Sequence, residues 1–171
     1  GVSVRDYYET CWSEGKGTDK APFYGPWLTG TGNMEVNCEE WQLAESGTDC
    51  VGVWDKEEYQ MKRTVTFKFQ RTTHLYTGPP IASVKQTHYC RTVGDDRCIV
   101  SLTIELGGIP FADAFNVQIR WVATRVGEKN LSIQCGLFVV FVKQVLVAGQ
   151  IRTGTKDETI PVQLDLFENM K

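Results

Sequence analysis

From residue 64 to residue 142 apolar and polar side chains take turns. Residues 64–70 set Val65, Phe67 and Phe69 against Thr66, Lys68 and Gln70. Cys98, Val100, Leu102, Ile104 and Leu106 alternate with Ile99, Ser101, Thr103 and Glu105. Phe115, Val117, Ile119, Trp121 and Ala123 alternate with Asn116, Gln118, Arg120 and Thr124. A period of two belongs to strands with one buried face. Residues 34–43, 83–92 and 131–142 read as further strands. The run from Phe138 to Val142 is apolar on both faces, which suits a strand covered by helices on one side and by ligand on the other, or an ordinary buried strand. Turns fall at 93–96 and 127–130, and Gly107, Gly108 and Pro110 interrupt the pattern. Gly78-Pro79-Pro80 makes 72–82 a loop. Strands joined by such short turns form an antiparallel meander.

Both ends of the chain change period. Val4, Tyr7, Tyr8, Cys11 and Trp12 fall at helical spacing after Ser3, a residue suited to cap them, and Gly15 and Gly17 follow. Residues 21–28, rich in aromatics, predict a second short helix, with its rings packed in the core. Residues 145–171 carry Leu146, Ile151, Ile160, Val162, Leu164 and Phe167 at mixed helical spacing. They predict a C-terminal helix, kinked or divided near Gly154 and Pro161. The expected architecture is α+β in one domain over 1–171: short helices within 3–30, sheet within 34–143, helix over 145–171. One helix does not fill a long curved sheet, so room for a cavity remains.

The 171 residues are 42% apolar and 23% charged, which excludes disorder or low complexity as a description of the chain. The longest apolar run, Gly136 to Val142, falls far short of the roughly 18 residues a membrane-spanning helix needs. No signal-peptide pattern opens the chain. The net charge of −3 hides an asymmetry. Residues 1–58 hold four Lys/Arg against twelve Asp/Glu, whereas 59–94 hold Lys62, Arg63, Lys68, Arg71, Lys85 and Arg91 with no acid. Such a block favours an anionic partner, and lipid headgroups fit an acidic protein better than nucleic acid does.

Of the six cysteines none forms a CxxC pair, which predicts reduced thiols and no zinc site; Cys90 and Cys98 flank a hairpin turn and read either as a facing pair or as small side chains in neighbouring strands, the second being favoured. His74 and His88 have no acid between them, and no nucleophile or phosphate-binding motif appears. Asp113 reads as a turn cap. No catalytic residue, cofactor or metal is expected.

An ordered series of segments supports a resemblance. The basic alternating strand begins at Lys62-Arg63-Thr64, and the Gly78-Pro79-Pro80 loop leads into Val84-Lys85. Ile109-Pro-Phe-Ala-Asp-Ala-Phe115 is similar to a Val-Pro-Tyr-x-Asp-x-Phe pattern. Arg120-Trp121 and the stretch from Gly136 to Lys143 follow. From about residue 61 to 151 the chain resembles a VASt domain, the StART-like module also found in Aster and Lam sterol transporters. Where that family often has Gly-Pro-Lys, this chain has Gly78-Pro79-Pro80, with Lys85 five residues on.

The resemblance implies a helix-grip fold: a curved antiparallel sheet closed by a long C-terminal helix around an apolar cavity. It implies a sterol or similar lipid as ligand, and a mobile loop at the mouth. It also implies work at the cytosolic face of the endoplasmic reticulum or at membrane contact sites, as a monomeric domain of a larger protein. Candidate lipid-lining residues are Val65, Phe67, Phe69, Tyr76, Ile81, Leu102, Ile104, Phe115, Val117, Ile119, Trp121, Leu137, Val139 and Phe141. Candidate membrane-docking residues are Lys68, Arg71, Leu75, Gly78, Pro79, Pro80 and Lys85, an apolar tip ringed by cations. Two rivals stand beside a non-enzymatic lipid carrier. One is a helix-grip enzyme on a hydrophobic substrate, which needs an inward acid/base pair that the alternating positions named above do not contain. The other is a membrane- or partner-binding module with a filled core.

Overall fold

In the computed structural model, which describes residues 1–45, 54, 57–71 and 79–171, the chain starts with a reciprocal cap. Ser3 Oγ accepts the Asp6 amide at 3.0 Å, and Asp6 Oδ2 accepts the Ser3 amide at 3.1 Å. This box opens α1 (Val4–Cys11), and α2 (Tyr24–Gly30) follows. The strands are β1 (Met34–Cys38), β2 (Gln42–Leu43), β3 (Met61–Gln70), β4 (Ile81–Val93), β5 (Arg97–Gly107), β6 (Phe115–Val126) and β7 (Asn130–Phe141), and α3 (Ala148–Asn169) ends the fold.

The sheet runs β1-β3-β4-β5-β6-β7, antiparallel throughout, with β2 also paired to β3. The expected first strand over 34–43 is two strands. The ladder to β3 slips between Met34 and Asn37, with Glu35 at φ +52°, and the chain breaks again before Gln42. Between the pieces Trp41 turns into the core and donates its indole N–H to the Trp12 carbonyl at 2.7 Å.

The C-terminal helix is not divided. α3 runs through Gly154 and Pro161. Pro161 is exposed, so its ring and the carbonyl it leaves unbonded face water rather than the core.

Cross-strand register sorts the side chains into two faces. Val65, Gln86, Ile104, Val117 and Val139 form one row of the inner face. Neighbouring inner rows run Arg63, His88, Leu102, Ile119, Leu137 and Met61, Cys90, Val100, Trp121, Cys135. The rings of α2 pack here as expected, with Tyr24 and Leu28 almost fully buried. Among the described residues, Trp54 and Tyr59 cover the outer face of β5–β7. Tyr59 packs on Ile99, and Trp54 meets Phe138 edge to face at 4.9 Å between ring centres. A side chain at Gly136 would run into the Trp54 ring. Cys11, Cys38, Cys90, Cys98 and Cys135 are free thiols. Cys50 lies outside the described residues.

Candidate functional site

The inner face differs from one end to the other. At the turn joining β4 to β5, Cys98, Val100 and Ala123 are completely buried in a core that includes Val4, Tyr7, Cys11 and Trp12 of the α1 segment. At the opposite end Phe69, Leu106 and Phe141 remain half-buried, as does Leu137 on the edge strand.

α3 bridges this face. Its buried residues are Ile151 and Leu166, near its two ends and about 22 Å apart along a helix. Between them Gly154, Thr155, Thr159 and Gln163 are only half-buried. Near the C-terminal end Trp121 Nε1 donates to Gln163 at 3.2 Å and Trp27 Nε1 to Asp165 at 2.8 Å, and Phe167 stacks on Trp121. Ile160, Val162 and Leu164, which the helical spacing offers for burial, face solvent.

Every candidate lining residue that is described lies on the inner face, with one exception. Ile81 pairs with Gln70, one residue out of phase with the inner Phe69–Ala82 pair, and is 45% exposed. It therefore sits on the rim and does not line the face. Tyr76 lies outside the described residues.

The inner face also holds polar groups that the apolar periodicity passed over. Arg63, Gln86 and His88 sit in phase with Val65 and Val84, and all three are buried. Arg63 Nε donates to His88 Nδ1 at 3.2 Å, so the ring proton sits on Nε2 and donates to Gln86 Oε1 at 2.8 Å. The same oxygen accepts the Tyr24 hydroxyl at 2.8 Å. Burial, and then the Arg63 charge, hold the His88 pKa well below its ordinary value. Burial raises that of the Tyr24 phenol. The Arg63 guanidinium lies 4.6 Å from the Trp41 ring centre and 3.6 Å from Glu14 Oε1, which also accepts the Tyr24 amide at 2.9 Å. The cluster clamps α2 against β3 and β4. An arginine two residues before Val65 and a histidine four residues after Val84, each in phase with the buried positions, are the signal that reading only apolar positions missed.

Five strands end on one rim. There the Val142 and Lys143 amides donate to the Ala114 carbonyl at 2.8 and 3.3 Å. Gly108 packs beside Pro79 and the Ile81 carbonyl. Arg71 donates its amide to Pro80 at 2.8 Å and its guanidinium to Pro79 at 3.2 Å.

The VASt family profile, the VAD1 Analog of StAR-related lipid transfer domain, matches residues 1–158. This chain belongs to the VASt family. Among curated proteins nothing matches it. The match reaches back to the first residue, so the N-terminal helices belong to the VASt domain as much as the sheet does. The open curved sheet with its terminal helix is the helix-grip α+β arrangement. The family is a lipid-binding one.

Within the VASt domain the motif residues take distinct positions. Trp121 faces α3, whereas Arg120 faces outward, donating to Ser101 at 3.0 Å and Tyr59 at 2.9 Å beneath the Trp54 ring. Asp113 pairs with Lys143 across to the β7–α3 connection, a contact beyond the turn cap expected of it. That lysine first, through hydrogen bond and charge, lowers the Asp113 pKa.

The cationic block does not stand alone. Lys68 pairs with Glu35 at 2.7 Å, Lys85 with Glu105 at 3.6 Å and Arg91 with Glu57 at 3.3 Å. Lys68 and Lys85 lie on the outer face, away from α3. Arg71, Pro79 and Pro80 stand on the rim. Leu75, Gly78 and His74 lie outside the described residues. Among the described residues no cluster of His, Cys, Asp and Glu has the makings of a metal site, and no helix is long and apolar enough to cross a membrane.

Proposed function

We propose that this VASt domain is a non-enzymatic carrier. It holds a lipid, a sterol in the first instance, between the inner face and α3. It exchanges that lipid with anionic membranes at contact sites of the endoplasmic reticulum, as one domain of a larger protein. The observation that carries the reading is the grip of α3. Its buried anchors stand at its two ends, and between them small and polar side chains face a sheet whose edge strand keeps Leu137 and Phe141 half-buried, while the central strands are buried. A rigid apolar molecule sheltered there removes roughly 400 Å² from water, worth on the order of 10 kcal/mol gross at about 25 cal/mol/Å². A bilayer shelters the same molecule almost as well, so exchange is nearly balanced and needs a cavity rather than a catalyst.

The polar groups on the inner face do not argue for an enzyme. Both His88 ring nitrogens are engaged, and burial keeps the ring neutral and away from solvent. A general base needs a free lone pair within reach of substrate. Arg63 is held between Glu14 and the Trp41 ring.

Uptake tests the proposal. After incubation with vesicles containing a fluorescent sterol, the protein separated from the vesicles carries sterol. Separated protein free of sterol, with the vesicles retaining all of it, removes the sterol-carrier reading.

A further inference from the structure

The rim presents apolar side chains that nothing among the described residues covers. Leu146 is fully exposed and Val142 is 63% exposed, next to the turn that bears Phe111 at 44%. Leu146 and Val142 belong to the connection between β7 and α3, away from the diproline loop in sequence. An open groove of about 700 Å³ runs along this connection, bordered by Phe141, Val142, Lys143, Val145, Leu146 and Arg152. The Arg152 guanidinium lies over the Phe141 ring at 5.2 Å, and Lys143 meets Asp113 at the edge. α3 starts beside the groove with no side-chain cap and no acid in its first turn. The positive end of its dipole thus adds to the two cations.

Protruding leucine and valine flanked by lysine and arginine match the layering of an anionic membrane surface. Apolar groups sink below the phosphates and cations stay level with them. Lys68 and Lys85 on the outer face are ion-paired as Lys143 is, and the apolar residues beside them, Met34 and Ile81, are less exposed than Leu146 and Val142.

We infer that the β7–α3 connection is a membrane contact in its own right. Leu146 and Val142 enter the interface of an anionic bilayer while Lys143 and Arg152 meet its phosphates. The inference rests on the membrane docking in the reading above and assigns it to residues 142–152. It also ties docking to the helix that closes the inner face, since α3 begins within the contact.

Flotation with phosphatidylcholine vesicles, with and without phosphatidylserine, tests it. The parent protein floats with the phosphatidylserine vesicles. Leu146→Glu weakens that binding about tenfold or more, the loss expected from withdrawing a leucine from the interface. Leu146→Phe retains it. Arg152→Gln lowers binding only where phosphatidylserine is present. Because Leu146 is fully exposed, Leu146→Glu melts with the parent and a folding defect does not imitate the effect. Equal flotation by Leu146→Glu and parent overturns the inference and leaves docking elsewhere intact. Equal flotation of the parent with and without phosphatidylserine also overturns it. A parent that floats with neither vesicle removes both this inference and membrane docking as a whole.

Discussion

The two ends of the inner face are made of similar strands and are covered differently. Near the β4–β5 turn, α1 and Trp12 press onto Cys98, Val100 and Ala123 until no surface remains. Near the rim, the same alternating pattern continues through Leu106, Phe69 and Phe141, yet these stay half-buried. One end is closed, and the other mixes these half-buried residues with buried Ala82, Val84 and Phe115. Apolar alternation says which face turns inward and says nothing about what lies on it.

Trp12 carries the largest expected effect. It is fully buried, stacks on Tyr24 at 5.5 Å and supplies the carbonyl for Trp41. Trp12→Ala is expected to cost about 3–5 kcal/mol in urea unfolding, by the lost burial and the cavity left behind. A loss below about 1 kcal/mol would mean the sealed end is not the stable one.

A matched pair of insertions sharpens the contrast. Val100→Trp forces a ring into the sealed end and is expected to cost about 1–3 kcal/mol. Leu106→Trp enlarges a half-buried side chain, is expected to cost less than about 1 kcal/mol, and blocks sterol uptake by occupying the space. Equal melting shifts for the two variants would erase the distinction between the ends.

His88 gives the pH test. The folded state holds it neutral, with a pKa well below the value of 6.5 it has when exposed. Its contribution is therefore fully present above pH 6.5. Below that the unfolded chain takes up a proton that the folded chain refuses, so stability falls as pH falls. The limiting slope is about 1.4 kcal/mol per pH unit. Urea titrations at a series of pH values below 6.5 should approach this slope in the parent and show a smaller one in His88→Gln. Identical slopes would mean that His88 is not held neutral.

Much of the fold was legible along the chain. Period-two runs located β3 to β7 within a few residues, and Ser3 marked the start of α1, because these signals are local. The resemblance carried by the segments from Lys62 to Lys143 agrees with the family match. Reading the apolar positions alone left Arg63, Gln86 and His88 out of the inner face, although they share its phase. The break at Glu35, the intact helix through Pro161 and the cover supplied by Trp54 were not legible, since each depends on what packs nearby.

By itself the sequence determined which side chains share a face, because alternation is fixed by backbone geometry. It also determined where the chain turns and that basic and acidic residues fall in separate blocks. Only the tertiary structure decided how those blocks meet. β1 lies antiparallel on β3 and brings Glu35 to Lys68, while β5 brings Glu105 to Lys85, so a positive run in the chain becomes a set of pairs on the surface. It also decided that Leu146 stands free and that α3 is anchored by Ile151 and Leu166 alone among its residues in burial. Burial and charge pairing depend on distance in space, and a residue's neighbours in space are chosen by the whole chain at once.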